Sequence, residues 1–145
     1  MKMTNQQYSN YVDKKSPNSS LWKNMLWAFL IGGTICTVGQ VVFNIYVSLG
    51  LKIENAESFT PITMVFLGAL LTGLKVYDNI AKIGGAGTLV PITGFANAVV
   101  SPAMEFKSEG YIMGMSAKMF TIAGPVIVFG VIASVIYGIL YCLII

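Results

Sequence analysis

The chain contains no histidine and no arginine, so that all nine of its basic residues are lysines. Without imidazole, it cannot build histidine metal sites or catalytic groups of the Ser-His-Asp and Cys-His kinds. Without guanidinium, it cannot bind a carboxylate or a phosphate through two parallel hydrogen bonds, as arginine does. We therefore expect a protein that is not an enzyme and that has no metal site and no cofactor.

Charged residues of either sign are also scarce, at 10% of the chain, whereas a typical soluble domain carries about 25%. Hydrophobic residues reach 55%, too many to be hidden below a polar surface. The small net charge of +3, with lysines that form no stripe, argues against nucleic acid as a partner. The composition predicts an integral membrane protein with the lipid bilayer as a partner, in which Cys36 and Cys142 are apolar packing residues.

Four apolar runs follow a polar N-terminal tail. The tail covers residues 1–24 and the membrane domain residues 25–145, with predicted segments at about 25–51, 59–76, 85–104 and 119–145. At 1.5 Å per residue, even the shortest uninterrupted run is about 27 Å long, which is just enough to cross a bilayer. We predict an all-α fold of about four membrane segments, and the lysines of the tail indicate a cytoplasmic N-terminus.

The third segment contains the helix breakers Pro91, Gly94 and Pro102. We expect a broken helix with short pieces at about 86–90 and 95–100, irregular backbone between them, and Pro102 ending the second piece. Irregular backbone persists at membrane depth only where protein buries it or a wet cavity faces it. The segment is therefore predicted to line a solute path, either crossing the membrane or re-entering it, and a kinked structural helix is the alternative.

Polar residues recur at helical spacing in two of the segments. The first segment carries a face that consists of Gly33, Thr37, Gln40, Asn44 and Ser48. Its two amides are costly in hydrocarbon, so that this face is either a hydrogen-bonded contact between helices or the wall of a water-filled path. In the third segment, the residues at the same spacing are Thr93, Asn97 and Ser101.

Small residues four positions apart predict close helix packing in two further segments. The last segment carries Gly130, Ser134 and Gly138, and the second carries Ala69 and Gly73. The helix that packs against each of these ridges belongs either to this chain or to another one.

Four stretches of the sequence resemble a known family. They are FLGALLTGLKVYDNIAKIGGAGTLVPITGFANAVVSPAMEFKSEG (66–110), MTNQQYSNYVDKKSP (3–17), FLIGGTICTVGQ (29–40) and KMFTIAGPVIVFG (118–130). The first stretch resembles the stage V sporulation protein AC/AE family of endospore-forming bacteria, and the other three resemble its AC branch. The resemblance covers nearly the whole chain.

The resemblance implies a small multi-pass protein of the forespore and spore inner membrane. It also implies a place in a complex of membrane and peripheral subunits that moves dipicolinic acid, with calcium, into the forespore during sporulation. The same complex releases it during germination, and mechanosensitive channel activity is associated with the AC branch. The family offers no residue-level site to carry over, so that the site residues are our own hypothesis.

The chemistry of the implied solute guides this hypothesis. Dipicolinate is a dianion and calcium a dication, so that a path for their neutral chelate needs hydroxyl, amide and backbone groups more than fixed charges. The hypothetical path residues are Gln40, Asn44, Pro91, Thr93, Gly94, Asn97, Ser101 and Pro102, with Glu105, Lys107 and Glu109 at one mouth. The alternative function is that of a structural subunit that packs against a separate pore and carries no solute.

Overall fold

The structure, a computed structural model, describes residues 4–16 and 19–144. Residues 1–3, 17, 18 and 145, which belong to the predicted tail and to the end of the last predicted segment, lie outside this range. The helices are Asn5–Lys15 (α1), Leu21–Ser48 (α2), Ile53–Gly73 (α3), Tyr77–Gly84 (α4), Ala86–Leu89 (α5), Ile92–Glu105 (α6) and Ala117–Ile144 (α7). A 3₁₀ turn, Lys107–Glu109, and a π-helical turn, Tyr111–Ser116, connect α6 to α7. The described residues form no strand, which confirms the predicted all-helical class.

The N-terminal tail contains a helix that the sequence analysis did not predict. The Thr4 hydroxyl accepts a hydrogen bond from the backbone N–H of Gln7 at 3.4 Å, and the Gln7 side chain accepts one from the backbone N–H of Thr4 at 3.1 Å. This reciprocal pair is a capping box, which satisfies N–H groups that the first turn of a helix leaves free. It fixes the start of α1 in a segment too polar to bury a face.

Within residues 4–16 and 19–144, three helical stretches are long and apolar enough to cross a membrane, Leu21–Ser48, Ile53–Gly73 and Tyr111–Ile144. They correspond to the first, second and fourth predicted segments. The third predicted segment contains α5 and α6 instead, and α6, with 14 residues, is only about 21 Å long. One straight helix of that length does not span a hydrocarbon core of about 30 Å.

Helices α2 and α3 pack as an antiparallel pair. Near the turn that joins them, the Tyr46 hydroxyl lies 2.6 Å from Oγ1 of Thr63, and the rings of Tyr46 and Phe59 are 6.1 Å apart. Farther from the turn, Ile35 and Leu71 line the same small apolar cavity. The residue numbers of the contacting positions therefore run in opposite directions along the two helices.

Helix α6 runs parallel to α3, and this direction decides the course of the broken segment. Gly68 lies against Thr93, and Thr72 contacts Asn97 four residues later in each helix. Parallel neighbours require a return connection, and α4 and α5 supply it along the side of α2. The chain therefore leaves the end of α3, folds back beside α2, and returns along α3 in α6.

The core of this bundle is small and partly polar. Apart from glycines, the buried residues are Ala56, Met64, Thr72, Tyr77, Thr88, Thr93, Ala96 and Ala123. Many large apolar side chains point outward instead, and α7 buries only Ala123 among its described residues. Cys36 and Cys142 are also exposed, and neither forms a disulfide. An outward apolar surface of this extent is typical of a protein that meets lipid.

Two details of the predicted broken segment are wrong. Pro91 is the N-cap of α6, with φ −64° and ψ 157°, so that the predicted irregular stretch after it is already helical. A proline at the start of a helix removes no intrahelical bond, because the N–H groups there have no acceptor. Pro102 lies inside α6 and does not end it, since the helix tolerates the loss of one N–H and continues to Glu105.

Candidate functional site

Glycine residues bring the broken segment into close contact with its neighbours. Gly85 separates α4 from α5 and has a φ of 48°, in the left-handed region that side chains disfavour. A Cβ atom at Gly87 would overlap the carbonyl oxygen of Ala28 on α2. A Cβ atom at Gly94 would likewise overlap the carbonyl oxygen of Thr88. The break in the helix is therefore tightly packed against protein.

The Tyr77 hydroxyl satisfies the backbone that the break sets free. Thr88 lies at the end of α5, where carbonyl groups have no intrahelical donor. Tyr77, which is only 3% exposed, donates a hydrogen bond to this carbonyl oxygen at 2.8 Å. Its oxygen also lies 2.9 Å from Oγ1 of Thr93, and because the tyrosine proton is already used, Thr93 is the donor. Protein groups therefore satisfy the interrupted backbone here.

A second polar contact joins α3 to α6. Oγ1 of Thr72 donates toward two acceptors, the carbonyl oxygen of Gly68 at 2.7 Å and Oδ1 of Asn97 at 2.8 Å. A hydroxyl has one proton, so that these two acceptors share it. Gly68 permits the approach, because a Cβ there would come within 3.0 Å of the Thr93 backbone. We call Gly68, Thr72, Tyr77, Thr88, Thr93 and Asn97 the buried polar cluster.

A polar cleft opens just past the end of α3, beside the last turns of α6. It has a volume of about 370 Å³, and its lining residues are Thr72, Lys75, Asp78, Ser101, Met104 and Glu105. One ammonium and two carboxylates thus surround a space with two hydroxyls. The buried polar cluster lies next to it, because Thr72 belongs to both. Two predicted residues, Ser101 of the path and Glu105 of the mouth, are brought together here.

The other two predicted mouth residues lie beside this cleft and not in its lining. Lys107 and Glu109 are exposed in the turn that follows α6. The Lys118 ammonium, at the start of α7, lies 4.4 Å from the centre of the Phe106 ring, a cation–π distance. Charged groups therefore collect at the end of the bundle where the cleft opens.

Lys75 holds an unusual backbone conformation at the rim of the cleft. Its φ of 59° lies in the left-handed region, and it is the one non-glycine residue in that region among the described parts of the chain. The N–H of Val76 donates to the carbonyl of Leu71, and the N–H of Lys75 to that of Thr72, both at 2.9 Å. This is a Schellman motif, in which glycine usually occupies the place of Lys75.

The polar face of α2 points away from the rest of the bundle. We call Gly33, Thr37, Gln40, Asn44 and Ser48 the outer face of α2, since all five are exposed. The partly buried residues of α2 lie on the opposite side and include Ile31, Ile35 and Val42. Nε2 of Gln40 donates to Oδ1 of Asn44 at 3.0 Å. Within one chain, the structure does not bring this pair together with Thr93 and Asn97.

The predicted packing ridges are not the ones that pack within this chain. On α3, Gly68 and Thr72 contact α6, one residue before each of the predicted positions Ala69 and Gly73. A Cβ at Gly73 would meet no atom of the described residues within 4 Å.

The ridge of α7 is open as well. Gly130, Ser134 and Gly138 are exposed, and a Cβ at either glycine would meet no described atom within 4 Å. The Ser134 hydroxyl donates to the Gly130 carbonyl of its own helix at 2.9 Å. A partner helix for this ridge therefore stays a prediction about another chain.

Comparison with known proteins decides the family. The profile of the SpoVAC/SpoVAEB sporulation membrane protein family matches residues 24–140. A relative from Bacillus subtilis (strain 168), Stage V sporulation protein AC, is 43% identical over 139 residues, which cover 94% of this chain and 93% of that protein. The chain belongs to the SpoVAC/SpoVAEB family. This confirms the resemblance inferred from sequence, and no solved structure matches the chain.

Membership of the SpoVAC/SpoVAEB family makes the chain a sporulation membrane protein, in agreement with the three membrane-capable helices among its described residues.

The sequence analysis did not identify Gly68, Thr72, Tyr77 and Thr88 as parts of the buried polar cluster. Gly68 and Thr72 carried a signal, because they are small residues four apart. Tyr77 and Thr88 carried none, since their contact depends on how the chain folds back after α3.

Proposed function

We propose that the chain is a channel subunit for dipicolinic acid, with calcium, in the forespore membrane, with uptake during sporulation and release during germination. The observation that supports this best is the broken segment, which folds back inside a membrane bundle and ends at a polar cleft. Broken helices of this kind form solute sites in many transporters. Membership of a sporulation membrane family agrees with the proposal.

In this proposal, residues 77–105 form a re-entrant hairpin. Lys75 at the end of α3 and Glu105 at the end of α6 line one cleft, so that the segment enters and leaves at the same end of the bundle. Helix α6 is also too short to cross alone. The chain then has three crossings, α2, α3 and α7, and its C-terminus lies on the side opposite the cleft.

The distribution of lysines supports a cytoplasmic cleft. Lys52, in the turn between α2 and α3, stands alone at the far end. The other eight lie before α2, in its first turn or at the cleft end, namely Lys2, Lys14, Lys15, Lys23, Lys75, Lys82, Lys107 and Lys118. Cytoplasmic loops carry an excess of lysine in membrane proteins. The cleft then faces the compartment in which the N-terminus lies.

The cleft has groups that suit both parts of the solute. The Lys75 ammonium suits a carboxylate of dipicolinate, and the carboxylates of Asp78 and Glu105 suit calcium. The hydroxyls of Thr72 and Ser101 suit a neutral chelate. Beneath them, Thr93, Gly94 and Asn97 continue the path when membrane tension separates α3 from α6, and Pro91 and Pro102 keep the segment broken and bent.

One observation favours the alternative of a structural subunit. In the described part of a single chain, the buried polar cluster is closed and its hydrogen bonds are made between protein groups. A protein that only packs against a separate pore would have no need to open this cluster. The two functions differ in whether Asn97 meets solute.

Flux measurement on liposomes tests the proposal. We expect the reconstituted chain to release dipicolinate, with and without calcium, at a rate that rises with membrane tension. Asn97→Leu is expected to lower this flux about tenfold while leaving the amount of inserted protein unchanged, because leucine dries the base of the cleft. Asn55→Leu, which changes an exposed amide in the first turn of α3, at the end of the bundle away from the cleft, serves as the matched control.

The same assay separates the two functions. Dipicolinate that stays inside liposomes containing folded, inserted protein at every tension contradicts a pore formed by this chain. If flux then appears only on adding further subunits and Asn97→Leu leaves it unchanged, the structural role is correct. In a second measurement, thiol reagents should reach Asn97→Cys under tension if the chain carries solute.

A further inference from the structure

We propose that two copies of this chain associate in the membrane through the outer face of α2. This inference concerns assembly and holds whichever solute the complex carries. It starts from an inversion in α2, whose apolar side packs into the bundle while its polar side is exposed. An exposed polar side is unfavourable for a helix that crosses a bilayer.

On the outer face of α2, two side chains, Gln40 and Asn44, have hydrogen-bonding groups without partners among the described residues. The hydroxyls of Thr37 and Ser48 donate to carbonyl groups of their own helix, at 2.9 Å and 2.8 Å. Gln40 and Asn44 make one hydrogen bond to each other among the described residues. Two amides together have four N–H donors and two carbonyl oxygens, so that most of this capacity is left over.

Gln40 lies within the part of α2 that spans the hydrocarbon, and Asn44 lies one turn nearer the helix end. Gln40 is eight residues from the end of α2, which places it about 12 Å inside the helix end. Polar groups in hydrocarbon need hydrogen-bond partners, and amides drive association of membrane helices for this reason. The exposed residues of α7 are mostly apolar and include no amide, so that the outer face of α2 is less compatible with lipid than the surface of α7.

A second copy suits this face because the face is its own complement. Each amide both donates and accepts, so that Gln40 can pair with Gln40 and Asn44 with Asn44 across a two-fold axis. An axis along the membrane normal keeps both copies in the same orientation. The outer face contains no charge to repel its copy, and Gly33 allows close approach, since a Cβ there would meet no described atom within 4 Å.

Cysteine cross-linking in liposomes tests the proposal. In a background that carries Cys36→Ala and Cys142→Ala, Thr37→Cys places a thiol on the outer face and leaves both amides intact. Val38→Cys, at the next position and 42% exposed, is the matched control on the flank of the helix. At a low ratio of protein to lipid, we expect oxidation to give covalent dimers of the first variant at least ten times faster than of the second.

A second experiment removes the two amides of the outer face. Gln40→Leu combined with Asn44→Leu should lower cross-linking through Thr37→Cys about tenfold, and should lower energy transfer between two differently labelled copies to the same extent. Leucine suits lipid, so that these variants are expected to insert and fold. Equal cross-linking at positions 37 and 38, or energy transfer unchanged by the leucines, overturns the proposal. Dimers that form only between this chain and a different membrane subunit also overturn it, and assign the face to that subunit.

Discussion

Two groups of polar side chains lie on the helices of this membrane protein, and the structure satisfies them in opposite ways. In the buried polar cluster, Tyr77 and Thr72 hydrogen-bond to groups on other helical pieces. On the outer face of α2, Gln40 bonds only to Asn44 of the same helix among the described residues. The difference shows that glycine contacts, which let helices approach, decide which polar groups a single chain can satisfy.

The largest expected effect comes from filling one of these contacts. Gly94→Ala adds a Cβ that overlaps the Thr88 carbonyl oxygen, so that α5 and α6 must move apart. We expect a loss of about 3 kcal/mol in the free energy of unfolding, at the upper end of the range for overpacking. Gly33→Ala, on the outer face of α2, meets open space within a single chain and is the matched control for the monomer.

Thermal unfolding in detergent measures both variants. The midpoint for Gly33→Ala should equal or exceed that of the unchanged chain, because alanine favours helix over glycine by up to about 1 kcal/mol. Equal midpoints for the two variants would show that the broken segment is not packed where the structure places it. The buried polar cluster would then be no more tightly packed than the outer face of α2.

The next effect separates buried hydrogen bonds from exposed ones. Tyr77→Phe removes one hydroxyl and leaves the Thr88 carbonyl without its donor, which should cost about 1–3 kcal/mol of unfolding free energy. Gln40→Leu should change the stability of a single chain in detergent by less than about 0.5 kcal/mol, because its amide is exposed. Chemical denaturation of the monomer compares the two, and a larger loss for Gln40→Leu would reverse the roles assigned here.

The sequence predicted the class of this fold but not the direction of its polar faces. Composition and run length were enough for an all-helical membrane protein, because a bilayer demands long apolar helices. The period of α2 separated Gln40 and Asn44 from the apolar side, but lipid and protein interior are both apolar, so that the pattern alone could not tell which side packs. The structure turns the amides outward.

The contact residues of α3 and the course of α6 depend on tertiary packing, which the sequence pattern does not determine. Two overlapping pairs of small residues occur in α3. Gly68 and Thr72 contact α6 of this chain, and the predicted pair, Ala69 and Gly73, stays a prediction about another chain. Pro91 was recognised as a helix breaker, but the parallel course of α6 beside α3 depends on the fold-back through α4. That course arises from contacts distant in sequence, such as the one between Gly87 and Ala28.

The smallest expected effect compares the ends of α2 and α3, which have the same backbone shape and different residues. Gly50, after α2, has a φ of 87°, and Lys75, after α3, has a φ of 59°. Both helices end in a Schellman motif, in which Leu51 N–H donates to the Tyr46 carbonyl in the first and Val76 N–H to the Leu71 carbonyl in the second. A side chain in this region costs about 1 kcal/mol.

We therefore expect Lys75→Gly to raise the free energy of unfolding by up to about 1 kcal/mol and Gly50→Lys to lower it by about the same amount. Because Lys75→Gly also removes the ammonium from the cleft, dipicolinate flux should fall while stability rises. Lys75→Asn, which tolerates the left-handed region without a charge, should lower flux equally and separates charge from backbone flexibility. Unchanged flux in both variants would show that dipicolinate passage does not need the Lys75 ammonium, and would contradict the role given to Lys75 in the cleft.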